Sequence, residues 1–164
     1  MENKIKKQQQ EDLAAKALQN RKPVHEDHQM EFVCEVNGIA FINDSKSTQP
    51  GHTKLSVESI DAPIILILGG ADNGMDYSTL TGVLNQKVIG VIYIGSDKEQ
   101  INDYIKNAKV GFYTAADLSD AISLALQCGQ AGDAVLFSPG CPCDAFDNYK
   151  NRGNQFRDFA NSVL

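Results

Sequence analysis

Tryptophan is absent from this 164-residue chain, aromatic residues make up 7% of it, and it has four cysteines. Cys34, Cys128, Cys141 and Cys143 lie far apart except for the last two. That is no disulfide framework, so reduced thiols are expected. Long apolar runs are also missing, since none approaches the roughly 20 residues that cross a bilayer. The polar start Met1-Glu2-Asn3-Lys4 offers no apolar core for a secretory leader. A cytoplasmic chain with no membrane partner is therefore expected. Cations are outnumbered: 15 Lys and Arg face 21 Asp and Glu, for a formal charge of −6 and a pI near 5.0. With its lysines scattered, the chain lacks the clustered positive charge on which nucleic-acid binding rests.

Hydrophobic residues make up 42% and charged residues 22%, enough for one globular domain with a real core. Residues 2 to 21 are rich in Lys, Gln, Glu and Ala and carry a narrow stripe of Leu13, Ala14, Ala17 and Leu18, which predicts a surface or partner-contacting helix ended by Pro23. Two short strands are predicted within Glu31 to Ile42. Between them stands Asn37-Gly38, the pair that best tolerates the positive φ angles of a type I′ turn. From Pro63 onward apolar strands (Ile64 to Leu68, Val88 to Ile94, Val110 to Tyr113, Ala134 to Phe137) alternate with helical patterns (Ser78 to Leu84, Lys98 to Asn107, Leu118 to Cys128, Asp147 to Val163). Continuously apolar strands separated by helices predict an α/β fold, doubly wound around a mostly parallel sheet, with the hairpin as an N-terminal antiparallel element.

In such sheets ligands gather beyond the carboxyl ends of the strands. The segment Ile42-Asn43-Asp44-Ser45-Lys46-Ser47-Thr48 leaves a strand and packs a carboxylate, a cation, an amide and three hydroxyls into one turn before a helical segment, Thr53 to Ile60. Helix N-termini favour anions and Lys46 adds a full charge. Asp44, Ser45 and Thr48 also suit plain turns and caps, which do not need a lysine. The glycine turn Gly69 to Gly74 has the outer spacing of a P-loop, but Met75 and Asp76 stand where Lys and Ser or Thr are required, and its adjacent glycines fail the dinucleotide pattern. Cys141-Pro142-Cys143 raises a metal or redox site. Zinc wants four N or S ligands, and His25, His28 and His52 are the only histidines, so no metal is assigned. A reactive thiol at Cys143, ahead of a helix, competes with inert buried thiols.

Four motifs in order carry a resemblance. They are His28-Gln29-Met30-Glu31; Val36-Asn37-Gly38-Ile39 with Phe41 to Thr48; Gly69-Gly70 through Asp76-Tyr77; and Leu136 to Phe156. From about His28 to Leu164 the chain resembles the C-terminal domain of the Mur ligases, the ATP-dependent amide ligases of peptidoglycan biosynthesis, and among them the D-glutamate-adding type. The resemblance implies a Rossmann-like domain over residues 28–164, preceded by a helical extension over 1–27. It implies that Asp44 contacts nucleotide and that Lys46 is catalytic, neutralising phosphate charge as an acyl phosphate forms. Thr48, Asn73, Cys143 and Tyr149 would hold a small acidic amino acid. Asn73 stands where the family has lysine, Cys143 where it has serine and Gln29 where it has arginine, and Cys143 to Tyr149 is one residue shorter than the pattern.

ATP and Mg2+ are implied for a complete ligase, with no cofactor bound by these residues alone. No G-x-x-x-x-G-K-[ST] loop occurs in the sequence. A Mur-type central ATPase domain and a UDP-sugar domain are then expected on another chain, or on a part of the protein of which this sequence is a fragment, and this chain alone is expected to be inactive. The alternative is a non-catalytic derivative that binds a small anion or a protein partner. A separate enzyme built on Cys143 lacks a histidine placed as its base.

Overall fold

The computed structural model describes residues 26–69, 75–143 and 148–164. The helix expected at 2–21 lies outside these segments, as does all but Glu26 and Asp27 of the extension expected over 1–27. Strands β1 (Glu31–Val36) and β2 (Ile39–Asn43) form the expected hairpin. Asn37 and Gly38 take φ of 54° and 80°, the paired positive angles that the tight turn needs.

Four further strands, β3 (Ile64–Gly69), β4 (Val88–Ile94), β5 (Gly111–Ala115) and β6 (Ala134–Phe137), complete one six-stranded sheet in the order β1-β2-β6-β3-β4-β5. All neighbours are parallel except β1 and β2. The last strand thus inserts between β2 and β3, whereas β4 and β5 extend outward from β3. The winding direction reverses where β3 meets β6, the place at which open α/β sheets hold ligands.

Helices α1 (Pro50–Ser59), α2 (Thr81–Lys87) and α3 (Lys98–Ile105) cover one face, and α4 (Leu118–Cys128) and α5 (Tyr149–Ser162) cover the other. β3 shows why its sequence is apolar throughout. Ile64, Leu66 and Leu68 enter the first layer and Ile65 and Ile67 the second, and all five are buried. Each such side chain contributes about 1.5–3 kcal/mol by leaving water.

The differences from the sequence reading lie at element ends. α1 starts at Pro50 rather than Thr53, because proline is at home in the first helical turn, where its missing N–H would have no partner. The helix expected at Ser78 to Leu84 is a 3-10 turn, Ser78–Leu80, that runs into α2. α5 starts at Tyr149, because the Asn148 Oδ1 accepts the N–H groups of Lys150 and Asn151 at 2.9 and 3.0 Å.

Candidate functional site

The carboxyl ends of β2, β6 and β3 lie side by side, so the turn after β2 and the loop after β6 share one rim. The turn after β2 is held from inside by Asp44, which is 1% exposed. Its Oδ2 accepts the hydroxyls of Ser47 (2.6 Å) and Ser138 (2.7 Å), and its Oδ1 accepts the Met30 N–H (3.1 Å). The Asp44 N–H meanwhile donates to the Phe137 carbonyl at 2.8 Å, stitching β2 to β6 where both end. A buried carboxylate costs several kcal/mol of desolvation unless donors surround it. Here they do.

Arg152 of α5 approaches the same turn from the opposite side. Its Nη2 donates to the carbonyls of Ser45 (2.8 Å), Cys141 (3.0 Å) and Ser47 (3.4 Å), and its Nε also donates to Ser45 (3.2 Å). The side chain is buried, and its Nη1 lies 3.8 Å from the Cys141 Sγ. A single guanidinium therefore ties the loops after β2 and β6 to one helix. Gly153 beside it allows this approach, because a Cβ there would collide with the His28 ring and the Ser45 hydroxyl.

The segment before β1 joins the same assembly. His28 holds φ of 70° and is buried, and its carbonyl accepts the Lys46 N–H at 3.0 Å. Burial holds its imidazole pKa below the ordinary value, against the opposing pull of Glu31. Burial pushes the Glu31 carboxyl up, but the His28 N–H at 2.9 Å and the Arg157 guanidinium at 2.8 Å outweigh it and leave the group below its usual range.

Among the described residues, two hollows on the rim take in candidate side chains. The larger, about 800 Å3, is walled by Thr48 and the start of α1, by Met75, Asp76 and Thr79, by Pro142 and Cys143, and by Asn148 and Tyr149. Gln49, the residue before α1, makes no side-chain cap, and its carbonyl accepts the N–H groups of His52 and Thr53 at 3.0 and 3.4 Å. Asp76 is the one Asp, Glu, Lys, Arg or His among the described residues of this wall. Hydrogen bonds from Ser78, one from its N–H at 2.9 Å, hold the Asp76 carboxyl below its ordinary pKa. The smaller hollow, about 250 Å3, takes in Gln29, Asp44, Lys46, Ser47 and His52. In it the Lys46 Nζ meets the Glu26 Oε2 at 2.7 Å and the Gln29 Oε1 at 3.3 Å. The hydrogen bond to Glu26 raises the lysine pKa above its ordinary value.

The six residues singled out from sequence are distributed as follows. Thr48, Cys143 and Tyr149 line the larger hollow, Asp44 and Lys46 line the smaller, and Asn73 lies outside the described residues. Tyr149 also packs edge-on against His28, with ring centroids 5.9 Å apart. Cys141 is buried and Cys143 half-buried, and among the described residues no three His, Cys, Asp or Glu side chains gather as a metal site would need. Arg152 and the Glu31–Arg157 pair were not singled out. The available signal was the dipeptide Arg152-Gly153 inside a helical pattern, since a mid-helix glycine often marks a close approach.

Comparison with known proteins completes the description. Residues 28–141 match the family described as Mur ligase, glutamate ligase domain. The UDP-N-acetylmuramoylalanine--D-glutamate ligase of Porphyromonas gingivalis is 39% identical over 142 residues, covering 86% of this chain and 31% of that protein. The ligase of the same name from Geotalea uraniireducens is 41% identical over 137 residues, covering 83% and 30%. The chain thus spans under a third of the length of these relatives. Among solved structures, UDP-N-acetylmuramate-alanine ligase MurC of Thermotoga maritima superposes with a TM-score of 0.56 at 14% identity, covering 84% of this chain and 30% of that one. E. coli FolC in complex with DHPP and ADP gives 0.58 at 13% identity, covering 85% and 32%. At such identities the likeness is one of fold.

Proposed function

Because this chain belongs to the Mur ligase, glutamate ligase domain, family, we propose that it is the amino-acid-presenting domain of a MurD-type ATP-dependent amide ligase of peptidoglycan biosynthesis. The observation that supports this most is the 800 Å3 hollow in which Thr48, Cys143 and Tyr149 converge at the reversal of the sheet. Its volume suits an amino acid together with the end of the acyl chain it attacks. The positioning would convert a bimolecular encounter into a held one.

The smaller hollow fits a nucleotide only in part. At about 250 Å3 it has room for a phosphate or a ribose edge, with Lys46 as the cation and Asp44 beneath it. ATP and Mg2+ would therefore be held chiefly by a central ATPase domain outside these residues, and the UDP-sugar by a further one. When bound, ATP would supply the phosphoryl group that activates the acceptor carboxylate. The part of this chain in that step is the charge of Lys46 beside the transferred phosphate. Without the ATP-binding domain these residues have no route to an acyl phosphate. A non-catalytic module that binds a small ligand or a protein is the second reading. It is favoured by the engagement of Lys46 with Glu26 and by the saturation of Asp44 with internal donors.

A titration of the 15N-labelled chain with glutamate and glutamine, in both enantiomers, tests the proposal. The expected result is saturable shifts of the Thr48, Cys143 and Tyr149 amides, with ADP shifting the Lys46 amide instead. If none of these compounds shifts any amide, alone or with a central domain added, the ligase reading fails and the interaction module replaces it.

A further inference from the structure

His28 serves both hollows with different parts of one residue. Its carbonyl accepts the Lys46 N–H at 3.0 Å, and the next residue, Gln29, lines the smaller hollow, so the main chain belongs to that side of the rim. The ring belongs to the other side. It meets Tyr149, a wall of the larger hollow, edge-on, with centroids 5.9 Å apart and planes at 74°. His28 is 6% exposed, and a Cβ on Gly153 would collide with its ring. The imidazole is therefore a closely confined packing partner of Tyr149.

Asn43 sets the orientation of that ring. The Asn43 Oδ1 accepts the Ser45 N–H at 3.2 Å, which turns Nδ2 toward the His28 Nδ1, 3.2 Å away. The same Nδ2 donates to the Glu31 Oε2 at 3.1 Å and to the Gly153 carbonyl at 3.3 Å. An amide donor requires an acceptor opposite, so the neutral ring presents the lone pair of Nδ1. A proton on Nδ1 would set donor against donor and push the ring from its place. The charged groups about the ring are Glu31 and Asp27 on its own segment and Arg157 and Lys150 on α5. On the turn after β2, Lys46 meets Glu26, while Asp44 and Arg152 are taken up by hydroxyls and carbonyls. We propose that His28 is a positioning residue of the amino-acid site: its neutral imidazole holds Tyr149 at the larger hollow, and protonation or loss of the ring weakens amino-acid binding while the main chain keeps Lys46 in place. This deepens the amino-acid-presenting role proposed above and rests on it.

Titrations of the 15N-labelled full chain with D-glutamate, from about pH 7.5 to about pH 5, test this, with hydrogen-exchange protection of the Lys46 amide as a second readout. Burial places protonation of the ring below the ordinary 6.5, whereas the Glu31 carboxyl is held below 4.5 and stays ionised over this range. Wild-type binding is expected to weaken about fivefold on acidification, the scale of one aromatic pair. His28→Gln should bind about fivefold more weakly at the upper pH, lose the pH dependence and keep the Lys46 protection. Tyr149→Leu removes the group that the ring supports, so its residual binding should also be independent of pH. Retained amide dispersion in each variant confirms folding. Wild-type affinity that does not respond to acid or to His28→Gln, or a pH dependence that persists in Tyr149→Leu, would overturn the inference and leave the amino-acid-presenting role standing. Equal loss of D-glutamate binding and of Lys46 protection in folded His28→Gln would overturn it too, since the ring would then support the whole rim. No D-glutamate binding by the wild type would remove both.

Discussion

The turn after β2, Asp44 to Thr48, and the larger hollow meet at Thr48, yet they are built oppositely. The buried charges that hold the turn are used internally: Asp44 accepts two hydroxyls and an N–H, and Arg152 donates to three carbonyls. The larger hollow is walled by hydroxyl, amide and thiol side chains with apolar neighbours, and among its described residues the one charged side chain is Asp76. The difference teaches which residues to read as ligands. A catalytic rim needs a frame that does not yield and a surface that remains available, and here chain neighbours divide those roles. Asp44 and Arg152 are the frame; Lys46 and Thr48 are presented by it.

The largest effect should come from breaking the frame. Arg152→Ala leaves the carbonyls of Ser45, Ser47 and Cys141 without their buried donor, and each such loss costs on the order of 1–3 kcal/mol. A destabilisation of about 3 kcal/mol or more is expected in urea unfolding, together with broadened Thr48 and Cys143 amides even where the chain remains folded. A change below about 1 kcal/mol would show that the turn stands without α5, and the distinction between frame and surface would fail.

Much of the frame's location was legible in the sequence, and its means of support was not. The strands were readable because both faces of the sheet are covered, so residues such as Ile64 to Leu68 had to be apolar without a break. Asn37-Gly38 was readable because few pairs take two positive φ angles in a row. Asp44 was noticed for its charge, whereas its burial depends on Ser138, which is 94 positions away. Arg152 sits in a helix most of whose other polar residues face water, and no periodicity separates a guanidinium aimed inward from one aimed outward. The start of α1 was missed because Pro50 and Gly51 read as a turn, although proline fits the first helical position as well. Contacts of this range are written in no local pattern, and they decided which residue supports and which presents.

An intermediate effect is expected from acid, again through the frame. Burial lowers the His28 pKa from the ordinary 6.5, so the fold favours the neutral ring. Below that pH the unfolded chain binds more protons than the folded one, and stability therefore falls as the solution is acidified through 6.5 toward the lowered value. Glu31 acts in the same direction in a lower window. Its carboxyl is held below 4.5, so its contribution is present above that pH and is lost on further acidification. Thermal midpoints from pH 7.5 to 5 should decline in the wild type, and the decline should flatten in His28→Gln. An equal slope in both proteins would show that the His28 ring is not the sensor.

The smallest change in stability belongs to the presented surface. The Lys46 and Glu26 side chains are 42% and 56% exposed, so their 2.7 Å pair is screened by water and contributes little to folding. Lys46→Ala should leave the thermal midpoint within about 2 °C. Its consequence lies in binding. The Lys46 Nζ is the charged donor of the smaller hollow, so removing it should abolish the response to ADP, while glutamine still shifts the residues of the larger one. Glu26→Ala separates the two possible meanings of that ion pair. If Glu26 occupies the place that a phosphate would take, its removal frees the lysine and strengthens the ADP response, most clearly at low ionic strength. If the ADP response weakens instead, Glu26 holds the lysine in position, and the pair belongs with Asp44 and Arg152 to the frame.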